Sequence, residues 1–173
     1  MADTSYIREL IMMEKGKPTE LKNYLVSKDE NRTLARAYLS SHQQGLTSGT
    51  SPIVSLDTED WDIGSNFASY RYVAPVTGYY HAAFSVLLYS ATEKIQIAQS
   101  GIFKNGTEEA RGTMYAKTSG NLGYFNSPGA ADVYLTQGQY LDLRGHVTTS
   151  DASDFWFHAG RQLTFMSVHL IST

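Results

Sequence analysis

An alternating strand pattern, broken by a proline and a glycine, lies near the middle of the chain. Residues 70–80 read YRYVAPVTGYY, and an almost continuous apolar run follows over residues 82–89. Pro75 has no backbone N–H to give to a sheet, so it ends the first strand. Gly78 supplies the backbone freedom that a tight turn needs. The apolar run is too short to span a bilayer and is typical of a strand buried inside a sandwich.

The same pattern of short strands and turns fills the chain from residue 33 onward. Strands are predicted over residues 34–40, 53–58, 67–74, 79–89, 95–103, 108–115, 131–135, 139–147 and 163–171. Asn105-Gly106 is the strongest hairpin signal among the turns. About ten short strands without intervening helices favour an all-β sandwich over βαβ units.

Composition limits the classes of function that are open to the chain. Hydrophobic residues make up 42% of it, which is enough for a packed core. The net charge of -3 and the scattered Lys and Arg argue against nucleic acid as a partner. The absence of cysteine removes disulfides and thiolate chemistry. No basic segment followed by an apolar one opens the chain, so we expect neither a signal peptide nor membrane insertion.

Residues 1–32 differ in character from the rest of the chain. They are charged, and their apolar side chains recur at helical spacing on both sides of a break at Gly16-Lys17-Pro18. Each stretch is too short to be a stable helix alone in water. We expect a short helical or extended N-terminal arm that docks on a partner, the alternative being an unanchored leader. The expected anchors are Ile7, Leu10, Ile11, Leu21, Tyr24 and Leu25.

Five segments carry a resemblance to a known family when they are taken in order. They are LARAYLSS, IVSLDTEDWDIGSNF, YRYVAPVTGYYHAAFSV, IAQSGIFKNGTEEARG and VYLTQGQYLDLRGHV. Together they resemble the globular head domain of the first complement component, subcomponent q, and its bacterial and phage relatives above all. The last segment, LTFMSVHLIS, resembles the closing strand, although the family more often has a glycine at Met166 or Ser167. The resemblance covers residues 33–173.

That family belongs to the tumour-necrosis-factor-like jelly rolls. The resemblance therefore implies a ten-stranded jelly-roll sandwich that assembles as a homotrimer. Three identical wedges can close around an axis and bury their aromatic faces against one another. The candidates for this trimer interface are aromatic positions that a lone domain would expose, namely Tyr124, Phe125, Tyr134 and Phe165.

Catalytic motifs are absent from the sequence. The five histidines are dispersed without the helical spacing of a metal site, and there is no Gly-x-Ser-x-Gly elbow and no phosphate-binding loop. We therefore expect no enzymatic activity and no cofactor. The acidic run Asp57, Glu59, Asp60 and Asp62 offers the oxygens that Ca²⁺ prefers, but it lacks the calcium-loop glycine and terminal glutamate. We expect a solvated loop there, with Trp61 turned inward, rather than a metal site.

A second patch mixes aromatic and polar residues in a segment that we expect to be a loop. Its members are Asp154, Phe155, Trp156 and His158. An aromatic ring offers a flat apolar platform on which a sugar can stack, so this segment is a candidate glycan-binding loop. The alternative is a loop that docks on the core or at a trimer contact.

Two non-enzymatic functions stay open at this point. The first is a bacteriophage virion structural protein: a capsid decoration or cement trimer on the virion surface, made in the host cytoplasm. Its arm would bind the major capsid protein or another virion protein. The short chain, the arm outside the jelly roll and the lack of cysteines favour this function. The second is the receptor-binding head of a phage tail or fibre, which would contact a cell-surface glycan.

Overall fold

The computed structural model describes residues 33–117 and 122–173, so the six expected arm anchors lie outside the described residues. Within the described ranges the chain forms thirteen β-strands and no helix. The strands are β1 (Leu34–Tyr38), β2 (Gln43–Leu46), β3 (Thr58–Ile63), β4 (Phe67–Ala68), β5 (Arg71–Val73), β6 (Gly78–Tyr89), β7 (Ile95–Lys104), β8 (Thr107–Arg111), β9 (Tyr115–Ala116), β10 (Tyr124–Leu135), β11 (Tyr140–Thr149), β12 (Phe155–Phe157) and β13 (Phe165–Ser172).

Two antiparallel sheets make up the architecture. Sheet A has the strand order β2-β12-β6-β13-β1-β3, and β10 also pairs with β6. The β10 strand runs beside the whole length of β6, so β13 and β12 share the other edge of β6. Sheet B has the order β4-β5-β11-β7-β8, and β9 also pairs with β7. This arrangement is a jelly-roll sandwich, as the sequence predicts.

Alternation along the strands decides which side chains fill the core. In β6 the residues from Tyr80 to Leu88 at every second position are buried, and those between them, apart from Ser85, are at least partly exposed. The β11 strand of sheet B turns Leu141, Leu143 and Val147 inward in the same way. The two inner faces share one hydrophobic core. Its largest fully buried side chains include Tyr72, Tyr80, Phe84, Phe155 and Phe157.

A buried hydroxyl network joins the two sheets between β7 and β10. The backbone N–H of Ser100 donates to Ser127 Oγ at 2.8 Å, and Ser100 Oγ donates to the Ser127 carbonyl at 2.7 Å. Ser127 Oγ in turn donates to the Thr113 carbonyl at 2.6 Å. These bonds satisfy polar groups that would otherwise be costly to bury. They also fix the distance between the sheets along this edge.

The region predicted as one strand over residues 67–74 is instead a tight hairpin. The β4 and β5 strands pair through Phe67↔Tyr72 and Ala68↔Arg71, with Ser69 and Tyr70 as the two turn residues. Both turn residues have positive φ, at 52° and 64°. Two such residues are what a type I′ hairpin requires. The sequence hides this turn because Gly and Asn, its usual residues, are absent.

Two segments expected to be loops are strands. Three of the four acidic residues lie in β3, which pairs with β1 through Arg36↔Trp61. Trp61 therefore points outward and is 42% exposed rather than turned inward. The aromatic patch forms β12, in which Phe155 is fully buried. Successive side chains on a strand project to opposite faces of the sheet. In both segments this alternation decides which side chains face the core and which face outward.

Candidate functional site

The outer face of sheet A, the side turned away from the core, carries large apolar side chains that nothing in the described chain covers. Strands β3, β6, β10 and β13 all contribute to it. Tyr79 and Tyr134 are 52% and 45% exposed. Exposed apolar clusters of this kind mark interaction sites more often than single exposed residues do. The exposed apolar members are Trp61, Ile63, Tyr79, Tyr124, Tyr134 and Ile171.

Tyrosines and histidines occupy one end of this face. Tyr79 and Tyr134 are cross-strand partners with ring centroids 5.1 Å apart. In the next row His81 lies between its partners Asp132 on β10 and His169 on β13. The distance from His81 Nδ1 to Asp132 Oδ1 is 2.7 Å, and the two imidazole centroids are 5.2 Å apart. This end of the face therefore combines the exposed apolar rings of Tyr79 and Tyr134 with a carboxylate, Asp132, that is already hydrogen-bonded to His81.

Small side chains form the middle of the same face. Ala130, Ala83 and Ser167 follow one another across β10, β6 and β13. Pro128 and Ser85 form the neighbouring pair. Because none of these side chains rises far above the backbone, the middle of the sheet is flat enough for another surface to approach closely.

An arginine held between two rings lies toward the β3 edge. The Arg36 guanidinium carbon is 4.5 Å from the ring centroid of Phe165 and 5.6 Å from that of Trp61. Asp60 pairs with both Arg36 and Arg161, and Arg161 Nε lies 2.5 Å from Asp60 Oδ1. Arg161, and Arg36 beside it, hold the pKa of the Asp60 carboxyl below its ordinary value. This cluster is an ion-pair network that fixes β3 against β1.

A row of aromatic rings crosses the opposite end of the face. Tyr124, Tyr89 and Trp156 are successive cross-strand partners on β10, β6 and β12. Their ring centroids are 4.5 Å apart for Tyr124 and Tyr89 and 5.1 Å apart for Tyr89 and Trp156. Partial burial, with Tyr124 as a close neighbour, raises the pKa of Tyr89 above its ordinary value. We call Tyr124, Tyr89 and Trp156 the aromatic row.

Two histidines flank the aromatic row. The His42 and His158 ring centroids are 4.1 Å apart. His42 stacks beside Trp156 with a centroid distance of 6.5 Å, and His158 lies 6.3 Å from Tyr124. The sequence gives no direct signal for this assembly, because its members come from four separate segments. Only the register of β6 with β10 and β12 brings them together.

Three of the four predicted interface residues lie on the outer face of sheet A, and the fourth does not. Tyr124 and Tyr134 project from the outer face of sheet A, at opposite ends of β10. Phe165 lies on the same face beneath Arg36. Phe125 turns to the other side and packs against the core, with its ring centroid 5.7 Å from that of Tyr115.

The candidate glycan residues are separated by the alternation of β12. Trp156 and His158 reach the surface beside Tyr89, and Asp154 is exposed just before the strand. Phe155 points into the core, so its ring is not available to a ligand. The surface set therefore loses Phe155 and gains His42, Tyr89 and Tyr124.

The acidic run is occupied by contacts within the chain. Asp57 accepts from the backbone N–H and the hydroxyl of Ser40 at 2.7 and 2.8 Å. Asp62 accepts from the backbone N–H groups of Asn66 and Phe67 at 2.9 and 2.8 Å. With Asp60 held by arginines, the run does not converge on one point. Among the described residues no group of His, Asp or Glu side chains has the arrangement of a metal site.

Residues 33–117 and 122–173 contain no helix that is long and apolar enough to cross a membrane. No protein-family model matches the chain, and no curated protein matches it significantly in sequence.

Solved structures match the chain in fold. Murine APRIL matches with a TM-score of 0.57 and 13% identity, over 81% of this chain and 99% of that one. Eiger TNF from S. frugiperda matches with a TM-score of 0.58 and 12% identity, over 82% and 93%. The globular domain of zebrafish complement 1qA protein matches with a TM-score of 0.52 and 11% identity, over 80% and 97%.

These likenesses confirm, at the level of the fold, the resemblance that the sequence carries. At this identity they show the fold alone, and the phage branch of the resemblance stays a prediction. The described part of the chain has the jelly-roll fold shared by tumour-necrosis-factor-like proteins and the globular head of complement component 1q.

Proposed function

We propose that this chain is a non-enzymatic head domain that assembles as a homotrimer and acts by adhesion. The observation that carries the proposal is the outer face of sheet A. There Tyr79, Tyr134 and Ile171 are each about half exposed beside a flat strip of small side chains. Such a face loses unfavourable apolar exposure when a second copy covers it. The jelly-roll fold is compatible with closure around a three-fold axis.

The polar groups on this face are compatible with burial in an interface. Asp132 already shares a hydrogen bond with His81, and Arg36 is already held by Asp60. Burying a paired charge costs far less than burying an isolated one. The charged groups of both clusters therefore keep their partners when another subunit covers this face.

A substitution in the flat strip tests this assembly. Ala83→Arg places a long charged side chain where two copies would meet, and we expect sedimentation velocity to show a single-chain species with an unchanged circular dichroism spectrum. The matched control is Ser150→Arg, which adds the same charge in an exposed turn of sheet B. An assembly that tolerates Ala83→Arg as well as it tolerates Ser150→Arg would place the interface elsewhere.

Within this function, we favour a capsid decoration or cement trimer on a phage virion, with the major capsid protein or another virion protein as its partner. The support is the amphipathic pattern of residues 1–32 outside the jelly roll. A trimer would present three such arms at once, and linked contacts gain affinity through effective concentration.

Co-sedimentation with phage shells stripped of accessory proteins tests the virion role. The chain is compared with a Leu21→Asp, Leu25→Asp variant and with residues 33–173 alone. We expect only the unaltered chain to sediment with the shells. Equal binding by all three would remove the arm from the interaction, and no binding by any of them would count against decoration.

The aromatic row favours a second candidate, the receptor-binding head of a phage tail or fibre. Tyr124 is 56% exposed, and its ring lies next to Tyr89 and His158. Trp156 and His42 extend the same cluster. Aromatic faces edged by polar groups suit ligands that have an apolar side and hydroxyls, as cell-surface glycans do. Binding of fluorescently labelled trimer to host cells, with and without glycosidase treatment, separates this candidate from the first.

A further inference from the structure

The two histidines beside the aromatic row are held in opposite tautomers by one residue. The backbone N–H of Ala159 donates to His42 Nδ1 at 2.8 Å, so Nδ1 of His42 is an acceptor. The carbonyl of Ala159 lies 3.0 Å from His158 Nδ1, and a carbonyl can only accept, so Nδ1 of His158 carries a proton. In neutral imidazole one nitrogen donates and the other accepts. His42 therefore offers an Nε2–H donor, and His158 offers an Nε2 acceptor.

Both imidazoles are fixed in position before any ligand arrives. The backbone of His158 is held at both ends, because its N–H donates to the Leu87 carbonyl at 2.8 Å and its carbonyl accepts from Thr164 Oγ1 at 2.6 Å. The N–H of Gly160, next to Ala159, donates to the Leu39 carbonyl at 3.0 Å. Within the described part of the chain neither Nε2 atom has a hydrogen-bond partner. A donor and an acceptor thus stand side by side at the surface.

We propose that this site binds a neutral saccharide: an apolar face of a pyranose ring packs on the aromatic row, and neighbouring hydroxyls bond to His42 and His158. A hydroxyl both donates and accepts, so it complements an Nε2–H donor and an Nε2 acceptor together. The proposal rests on the receptor-binding candidate above, because it names the ligand class and the residues of that function.

The charges around the row favour a neutral ligand over an anionic one. Within the described residues no Lys or Arg belongs to the cluster, and a carboxylate lies close to it: Glu93 acts on Tyr89 and lies beside Gly123, the residue before Tyr124. A phosphate or sulfate group would meet this carboxylate without a fixed positive charge to offset it. Packing alone does not account for the cluster, because Phe155 and Phe157 already fill the core beneath the row.

Asparagine substitutions separate the role of the Nε2 atoms from that of Ala159. An Asn side chain can replace Nδ1 of either histidine, since its carbonyl accepts and its amide donates, but it has no atom in the place of Nε2. We expect His42→Asn and His158→Asn to keep their bonds to Ala159 and the stability of the fold. Each removes one contact to the saccharide.

The test is a titration of the full chain with neutral mono-, di- and trisaccharides of glucose, galactose, mannose and N-acetylglucosamine. Trp61→Phe leaves Trp156 as the only tryptophan, and its fluorescence reports binding. We expect at least one sugar to bind, with affinity reduced about tenfold or more by Tyr124→Ala and by each Asn variant, a loss typical of an unmade hydrogen bond or stacking contact. The control Tyr70→Asn removes another exposed tyrosine at a positive φ that Asn tolerates, and it should bind normally.

Two results would overturn the proposal. One is that no sugar in the panel binds; the other is that a sugar binds equally well to the Tyr124→Ala and Asn variants. Host-cell binding, measured in parallel on the same variants, distinguishes failure of the saccharide site from failure of the receptor-binding function. Host-cell binding that survives Tyr124→Ala leaves the receptor-binding candidate standing and places its ligand at another surface. Absence of cell binding, with sugar binding at the row, removes the receptor role alone. Nitrogen-15 shifts of the imidazoles test the tautomers directly, and two identical tautomers would remove the physical basis of the site.

Discussion

Single residues decide how closely the two sheets of this sandwich can approach. Gly145 turns its Cα toward the core from β11, and a Cβ added there would lie 2.4 Å from Phe157 Cε1 and 3.0 Å from Leu88 Cδ2. Phe157 is fully buried, so its ring has little room to move away. Glycine is thus required at position 145 by close packing rather than by backbone conformation.

We expect Gly145→Ala to lower the free energy of unfolding by about 1–3 kcal/mol, the usual cost of overpacking a core. The measurement is urea unfolding at one fixed chain concentration, because oligomers unfold in a concentration-dependent way. The double variant with Phe157→Leu should lose less than the two single losses added together, because a smaller side chain makes room for the new methyl group. Strict additivity would show that the contact does not limit the packing.

The Asp60 network makes a prediction about pH. The Arg161 and Arg36 guanidinium groups lower the pKa of the Asp60 carboxyl in the folded chain. A carboxyl with a lowered folded pKa contributes stability above its unfolded pKa of about 4, and that contribution disappears as pH falls through the folded value. We therefore expect the melting-temperature difference between the parent and Asp60→Asn to be constant near neutral pH and to shrink below about pH 4.

The control for this prediction is Glu109→Gln, which alters an exposed carboxylate on β8 that has no ion pair within the described residues. It should leave the melting temperature almost unchanged across the same pH range. A melting-temperature difference for Asp60→Asn that persists unchanged to pH 2 would show that the ion pairs are not its source.

At the scale of elements, the link between β7 and β10 holds the two sheets together along one edge. Ser127→Ala removes the acceptor of the Ser100 N–H and the donor to the Thr113 carbonyl. Leaving a buried donor without a partner costs about 1–3 kcal/mol, and we expect a loss of that size in the free energy of unfolding. Hydrogen exchange at the Ser100 amide should accelerate more than exchange elsewhere in β7.

Thr113→Val is the matched control for this link. Thr113 takes part in the network through its backbone carbonyl, which the substitution keeps. The substitution removes only the 3.2 Å hydrogen bond that the exposed Thr113 hydroxyl donates to the Pro128 carbonyl. It should cost no more than about 1 kcal/mol. If Thr113→Val destabilises the fold as much as Ser127→Ala does, the hydroxyl of Ser127 is not the central group.

The elements that could be predicted from the sequence are those whose patterns are long or whose turns are conventional. The apolar run over residues 82–89 predicts β6, and the Asn105-Gly106 turn predicts the pairing of β7 with β8. The β4–β5 hairpin could not be predicted, because its turn residues Ser69 and Tyr70 adopt a conformation that their side chains disfavour. The β3 and β12 strands could not be predicted either, since charge and short length gave them the appearance of loops.

The candidate site was less predictable than the fold, for a reason that belongs to the whole molecule. Trp156 and His158 could be named from the sequence because they are neighbours along the chain. Tyr89, Tyr124 and His42 join them only through the pairing of β10, β6 and β12 and through the Ala159 bonds. The register between strands that are far apart in the sequence is set by packing, and no local sequence pattern predicts it.

For the whole molecule, we propose that other copies of the chain cover the end of the outer face of sheet A that carries Tyr79, Tyr134 and Ile171. The aromatic row lies at the opposite end of that face and stays open. Three copies closing around an axis would cover Tyr79, Tyr134 and Ile171 in each subunit. The capsid and glycan functions proposed above both depend on this assembly, because each acts through several copies of one weak site.

The decisive experiment on this assembly is sedimentation equilibrium of residues 1–173 over a wide concentration range. We predict a mass three times that of one chain, independent of rotor speed and held down to low concentration. A chain that stays folded by circular dichroism but sediments with the mass of a single copy at every concentration would show that the copies do not assemble. In that case the exposed face of sheet A would have to be covered by a different partner.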